Sequence, residues 1–319
     1  MKYYLGIDLG GTNIAAGVVD ETYRLIEKVS IPTGGSRPFE EVVADMARAA
    51  RMAAEKAGMR EEEFSSLGVG TPSSENPKTG LVAHVNNMGW HNAPLRAELA
   101  KHTALPLYIN NDADCAALGE VLGGAAREYE NALMITLGTG VGGGVILNKR
   151  IFTGADKMGC EPGHTMLVMD GVRCTCGKKG CFESYGSATA LIRQTKEAMA
   201  EHPESLIAAL CSGDENKING KTVFDAAKQG DRVALAVVDR YTSYLAAGIG
   251  SLVTLFRPQV VIMGGGISAQ GAYLLDPLNE KMADTVFAAA EIGRPKVILA
   301  QLGNDAGIIG AAMLEKHAQ

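Results

Sequence analysis

The chain reads as an α/β protein built from two related halves, each with a mixed sheet. Three observations predict this. Apolar strand-like segments alternate with amphipathic helical ones along most of the 319 residues. Two glycine-threonine hairpins interrupt that alternation. The hairpins also share a layout: IDLGGTNIAAGVV from Ile7 and ITLGTGVGGGVIL from Ile135 run strand, Leu-Gly, threonine, glycine-rich turn, strand, with a period of about 128 residues. A chain of this length has room for two cores, and the halves are expected to meet near residues 113–130.

In chain order, Lys2–Asp8 and Ile14–Asp20 pair around a Gly10–Asn13 turn. A helix follows over Pro38–Gly58, with Ser36 as cap, Pro38 in the first turn and Gly58 as stop. Leu67–Gly70 is a short strand, Ala93–Thr103 a helix, Pro106–Ile109 a buried strand and Ala113–Gly123 a helix. The second hairpin joins strands Asn131–Leu137 and Val145–Lys149 through the turn Gly138–Gly144. Helices are expected over Ser187–Glu201 and Asp231–Phe256, the latter stopped by Arg257-Pro258, with a polar loop near Gly213–Lys221 between them. Strand Gln259–Met263 enters Gly264-Gly265-Gly266 and a helix reaching Lys281; strand Lys296–Gln301 and helix Ala306–Lys316 close the chain.

Composition excludes several classes. A net charge of −6 gives no electrostatic reason to expect nucleic acid or an anionic membrane as partner. The opening MKYYLGIDLGG lacks the features of a signal peptide, and the apolar run near Leu245–Phe256 is too short to span a bilayer. A cytoplasmic setting is the expectation. Thirty-nine glycines against eleven prolines suggest backbone loops that approach a ligand closely.

Three of the six cysteines fall within eight residues: Cys174, Cys176 and Cys181, preceded by His164. One imidazole and three thiolates match a closed, tetrahedral Zn²⁺ site, which would be structural because no coordination position stays open. Arg173, Lys178 and Lys179 alongside favour the thiolate form. Glu161 and Glu183 flank the stretch, so a metal bracing the loop would also position two carboxylates.

The run Gly138-Thr139-Gly140-Val141-Gly142-Gly143 spells a dinucleotide fingerprint but precedes a strand where that motif opens a helix, and the chain contains no Walker sequence. What remains is a pair of glycine-threonine tips, Gly10-Gly11-Thr12-Asn13 and Gly138-Thr139-Gly140, whose successive N–H groups suit phosphate. Asp8, at the end of its strand, is placed to hold Mg²⁺ beside phosphates. Asp112 follows a buried strand and opens a helix, so it is either an N-cap or a general base. Asn111, Glu161, His164 and Glu183 favour the second role, since together they form a set of donors and acceptors suited to a neutral polyol.

IDLGGTN at 7–13, NND at 110–112, LGTGVGGG at 137–144, EPGH at 161–164 and CTCGKKGCFE at 174–183 resemble the ROK family of sugar kinases and repressors, along essentially the whole chain. Within it the similarity is to the bacterial members that phosphorylate glucose with ATP. The resemblance implies an actin-like, ribonuclease-H-like fold, duplicated into two domains with sugar and ATP in a central cleft. The expected domains are 1–115 plus 305–319, the smaller, and 116–304, the larger, with the zinc loop. By matching positions Asp112 would be the catalytic base. Asn87, Asn111, Asp112, Glu161, His164 and Glu183 would contact the sugar, with His164 also on zinc. The two tips would hold ATP phosphates, and Gly264, Gly265 and Gly266 would lie near the nucleoside. Pro162 and Asp114 depart from the commoner family residues, and Asp114 competes with Asp112 for the cap.

The implied reaction is ATP-dependent phosphorylation of the 6-hydroxyl of an aldohexose, glucose first. N-acetylmannosamine, N-acetylglucosamine, fructose and allose stay open, because the named residues do not separate them. A homodimer is what the family suggests. The repressor alternative goes with an N-terminal helix-turn-helix, for which a chain opening on its first strand leaves no room.

Overall fold

The computed structural model describes residues 1–85 and 88–318, and of His84 the backbone only. The strands are β1 Tyr3–Leu9, β2 Asn13–Asp20, β3 Leu25–Pro32, β4 Phe64–Thr71, β5 Glu75–Asn76, β6 Leu81–Val85, β7 Trp90–Ala93, β8 Leu107–Asn111, β9 Ala132–Leu137, β10 Val141–Leu147, β11 Arg150–Ile151, β12 Val260–Gly264 and β13 Lys296–Leu299. They form one sheet in the order β3-β2-β1-β4-β8, a second in the order β11-β10-β9-β12-β13, and a small β5-β6-β7 sheet. The two large sheets thus repeat one strand order, with β1 and β9 in corresponding central places. This is the duplication that the paired hairpin sequences announce.

The chain divides into two compact units, Met1–Leu133 with Gly144–Cys160 and Ala300–Gln319, and Met134–Gly143 with Glu161–Leu299. The helix Asp112–Leu122 therefore lies whole within the first unit.

In the first unit, β2 runs antiparallel to β1, while β4 runs parallel to β1 and β8 parallel to β4. The register places Asp8 beside Gly70 and Gly70 beside Asn110, so three strands end together at their carboxyl edge. Alternation sends Leu5, Ile7 and Leu9 to one face, where they join Val42, Val43 and Met46 of the helix Phe39–Lys56 in a buried cluster. Each such side chain contributes about 1.5–3 kcal/mol when fully buried.

The alternate positions carry Gly6 and Asp8 on the opposite face, and there the helix Asp305–Ala312 lies against backbone. A Cβ at Gly6 would collide with the Ile308 carbonyl, one at Gly68 with that of Ala311, one at Gly119 with that of Ala306, and one at Gly310 with that of Cys115. Four glycines therefore allow this helix to touch both the sheet and the helix Asp112–Leu122 without side chains between them.

The second unit is organised around the helix Arg232–Phe256, capped by Asp231, whose carboxylate accepts from Ala234 N–H at 2.7 Å. It stops at Arg257, which adopts a left-handed conformation with φ of 45°. Among the described residues no helix is long and apolar enough to cross a membrane.

Several elements differ from the sequence expectation. The first hairpin continues into a third strand, β3; its half-exposed LIEKVSIP pattern carries charge because it is an edge strand. The first helix begins at Phe39 with extended Pro38, not Ser36, before it. The 93–103 helix shrinks to Leu95–Leu99, closed by a turn in which His102 N–H donates to the Leu99 carbonyl. The second glycine turn is only the tip at 138–140, because β10 already begins at Val141. Its glycines serve close packing, as a Cβ on Gly143 would strike the Met134 carbonyl. The closing helix breaks into Asp305–Ala312 and Leu314–His317.

The glycine-lined contact yields a direct expectation. Gly68→Ala should lower unfolding free energy by about 1–3 kcal/mol or more, since the added methyl meets a carbonyl that belongs to a packed helix. Urea denaturation of the two proteins checks it.

Candidate active site

In the first unit the register brings Asp8, Asn111 and Asp112 to the carboxyl edge of the parallel strands, where open α/β sheets bind ligands. Asn111 is the N-cap: its side-chain oxygen accepts from Ala113 N–H at 2.8 Å and Asp114 N–H at 3.3 Å. That resolves the cap question, since neither Asp112 nor Asp114 plays this part. Asp112 is the first helical residue, and its Oδ1 accepts from Ala113 N–H at 2.7 Å. Burial raises the Asp112 pKa against these hydrogen bonds.

Asp8 is more strongly perturbed, pushed from 3.8 to about 7 by burial and then by the Asp112 charge. No side chain stands between the two, because Gly70 occupies the intervening strand end and a Cβ there would pack on Asp112 Cα at 3.4 Å. Gly307 makes room for the Asp8 carboxylate, whose Oδ2 would lie 2.7 Å from a Cβ at that position. The adjoining tip is braced by Thr33, the residue after β3: its Oγ1 donates to the Gly10 carbonyl at 2.7 Å and its N–H to the Thr12 carbonyl at 2.8 Å.

In the second unit the tip at Gly138–Gly140, the EPGH turn and the cysteine loop pack as one body. Pro162 opens the one-turn helix Pro162–His164. Gly163 lies on the Val141 carbonyl, and Gly143 leaves room for the Pro162 ring. Glu161 is exposed at the head of this turn. Glu183 follows Phe182, a fully buried ring that fills space left by Gly186 and Gly248. Tyr241 pins the short helix Glu183–Gly186 by donating to the Gly186 carbonyl at 2.7 Å. The Glu183 carboxylate accepts from Val141 N–H at 3.1 Å through Oε2 and from the Thr175 hydroxyl at 3.0 Å through Oε1. The helix after it secures the tip, with Ala188 N–H on the Gly138 carbonyl and the Thr189 hydroxyl on that of Thr139, both at 2.8 Å. Gly265, with φ of 84°, rests on Leu137 backbone, so the Gly264–Gly266 turn adjoins this tip.

His164, Cys174, Cys176 and Cys181 converge, their ligand atoms all within 4.8 Å of one another. The Cys174 sulfur is 3.7 Å from His164 Nδ1, and the Cys176 and Cys181 sulfurs are 3.6 Å apart. A tetrahedron with metal–sulfur bonds of about 2.3 Å has edges of roughly 3.8 Å, so the donor set and its spacing fit zinc.

Sequence reasoning missed Gly307, Thr33, Thr175 and the Val141 amide. Only Gly307 left a trace, the small-residue spacing Gly307-x-x-Gly310 in an apolar run. Asn87 lies outside the described residues.

Two sheets of one strand order, each with a glycine-threonine hairpin at a corresponding place, define a duplicated, actin-like α/β fold of the ATPase class. The chain belongs to the ROK family, whose profile matches residues 4–318. It is 38% identical to a glucokinase of Thermotoga maritima over 98% of this chain and 97% of that one. To an N-acetyl-D-glucosamine kinase of Citrobacter koseri it is 32% identical over 98% of each. The crystal structure of a ROK family glucokinase from Streptomyces griseus, in complex with glucose and AMPPNP, superposes with a TM-score of 0.78 at 35% identity, covering 98% of both chains.

The raised Asp8 pKa has a stability consequence with a definite sign. The folded state binds the extra proton between pH 4 and 7, so burial costs nothing below about 4 and its full amount above about 7. Stability should therefore fall across that window by up to roughly 4 kcal/mol more in the parent than in Asp8→Asn. Denaturation curves of both proteins at pH 4.5 and 8, without divalent cations, measure the difference.

Proposed function

We propose that the chain is an ATP-dependent hexose kinase of the glucokinase type, transferring a phosphoryl group to the 6-hydroxyl of an aldohexose, glucose first. The observation that carries the reading is the Asp112 carboxylate. It opens a helix at the sheet's carboxyl edge, Asn111 relieves it of capping, and burial raises its basicity. Family membership and the glucokinase relatives supply the sugar and the nucleotide.

In this reading Asp112 accepts the proton of the 6-hydroxyl as that oxygen bonds to the γ-phosphorus of ATP. The bond from the γ-phosphorus to the bridging oxygen breaks, and ADP leaves. Amides of Gly10–Asn13 and Gly138–Gly140 receive the phosphate oxygens, while Gly264–Gly266 borders the nucleoside. Asp8, a half-buried carboxylate beside another, would hold Mg²⁺, which when bound would supply neutralising charge for the phosphates. Asn87, Asn111, Glu161, His164 and Glu183 are the residues we assign to sugar hydroxyls.

His164, Cys174, Cys176 and Cys181 would hold a structural zinc, whose chemistry is to lock the loop that carries Thr175 and precedes Glu183. Thiolate ligands suit a reducing, cytoplasmic compartment, and a homodimer is the expected assembly. The second reading is a kinase for another hexose, which the N-acetyl-D-glucosamine kinase relative supports.

Release of ADP across a hexose panel tests the function: glucose should give the highest kcat/KM, and a maximum on an N-acetylated sugar would select the second reading. Asp112→Asn should keep glucose binding by calorimetry while turnover drops about 10²–10⁴-fold. For the metal, we expect one zinc per chain by mass spectrometry. Cys176→Ala should lose it together with glucose binding, since structural zinc contributes on the order of 10 kcal/mol to ordering its loop.

A further inference from the structure

The contacts of Glu183 go beyond a carboxylate waiting for a sugar. We propose that Thr175, the residue between two of the metal-ligating cysteines, is a positioning residue that sets the orientation of the Glu183 carboxylate toward glucose. The proposal rests on the reading of Glu183 as a sugar contact.

The carboxylate is held at both ends. Oε2 accepts from Val141 N–H at 3.1 Å, in a space kept open by Gly140, where a Cβ would strike that oxygen. Oε1 accepts from the Thr175 hydroxyl at 3.0 Å and lies 3.4 Å from the Cys174 sulfur. Among the described residues, the Thr175 hydroxyl and the Val141 amide are the O–H and N–H donors that keep the group from rotating away.

The two donors have different origins. Val141 N–H opens β10 directly after the second glycine tip, and a backbone amide cannot be removed by changing its side chain. Thr175 is the adjustable partner. It occupies the position between the two cysteines of Cys-x-Cys, and its hydroxyl needs no part in holding the metal. A carboxylate offers about four lone-pair sites, so with these two filled Oε1 and Oε2 each keep one for a sugar hydroxyl. Orientation of those remaining lone pairs is what Thr175 would fix, and orientation is felt in sugar binding more than in the phosphoryl-transfer step.

The test compares Thr175→Val, which keeps the shape and removes the hydroxyl, with Thr175→Ser, which restores it, in the zinc-loaded protein. We expect Thr175→Val to raise the glucose KM about five- to tenfold, as for loss of a partly exposed hydrogen bond to a charged group. The kcat and ATP KM should stay within about twofold of the parent, with one zinc per chain retained. Thr175→Ser should return the glucose KM to near the parent value. Adding Thr175→Val to Glu183→Gln should produce no further rise, because the two act through one contact. A Thr175→Val protein with parental glucose KM overturns the proposal while Glu183→Gln still shows a raised one. So does loss of zinc from Thr175→Val, or a Thr175→Ser protein as impaired as the valine variant. An unchanged glucose KM in Glu183→Gln strikes instead at the underlying assignment of that glutamate to the sugar.

Discussion

Backbone pressed on backbone is the constraint on which the first unit depends. The helix Asp305–Ala312 approaches β1, β4 and the helix Asp112–Leu122 so closely that glycine is required at Gly6, Gly68, Gly119 and Gly310. Close approach forgoes the apolar side chains that usually fill such a seam, and it gains rigidity in return, since backbone cannot change rotamer as a side chain can. Asp8 and Asp112 inherit their positions from that seam. One is at the end of a strand the helix covers, the other on the first turn of the helix it presses against. Gly307 and Gly70 then leave the space in which two half-buried carboxylates stay near each other. Their raised pKa values follow from a geometry that packing imposes.

The second unit solves a different problem, how to hold polar groups in a loop with little core. The loop from Thr165 to Gly180 offers few large buried side chains, and Met166 and Met169 are exposed. Its backbone is tied by bonds such as Cys174 N–H to the Lys178 carbonyl at 2.8 Å, and it brings His164 and three sulfurs together. Anchoring at the far end is apolar, through Phe182 against Gly186 and Gly248. Glu183 lies where the donor cluster meets this core, which explains how a single carboxylate can touch the glycine tip and the cysteine loop together.

Legibility differed by type of signal. Strong periodicity carried the long elements: the bounds of the helix Arg232–Phe256 were readable to within a residue. The edge strand Leu25–Pro32 was not, because solvent on one side replaces its apolar residues with Glu27, Lys28 and Ser30. Short strands β5, β6 and β7 carry too few residues for any period to register. The GTGVGGG run misled in the other direction. Glycine there looks like one long turn, yet Gly142, Gly143 and Gly144 are in strand, chosen for what lies against them. Asp112 and Asn111 were both named from sequence, but which of the two caps the helix is a matter of hydrogen-bond geometry and emerged only in three dimensions.

By itself the sequence determined the α/β alternation, the duplication and the grouping of one histidine with three cysteines, because each is written in residue type and spacing along one dimension. Tertiary structure decided the pairing of Asp8 with Asp112, the task of each glycine and the two donors on Glu183. Those depend on distances between residues remote in the chain, such as Asp8 and Gly307, and on which backbone atom faces an absent Cβ. No pattern of neighbours in sequence encodes that, since the same glycine serves a turn, a strand crossing or a carboxylate pocket according to what packs against it.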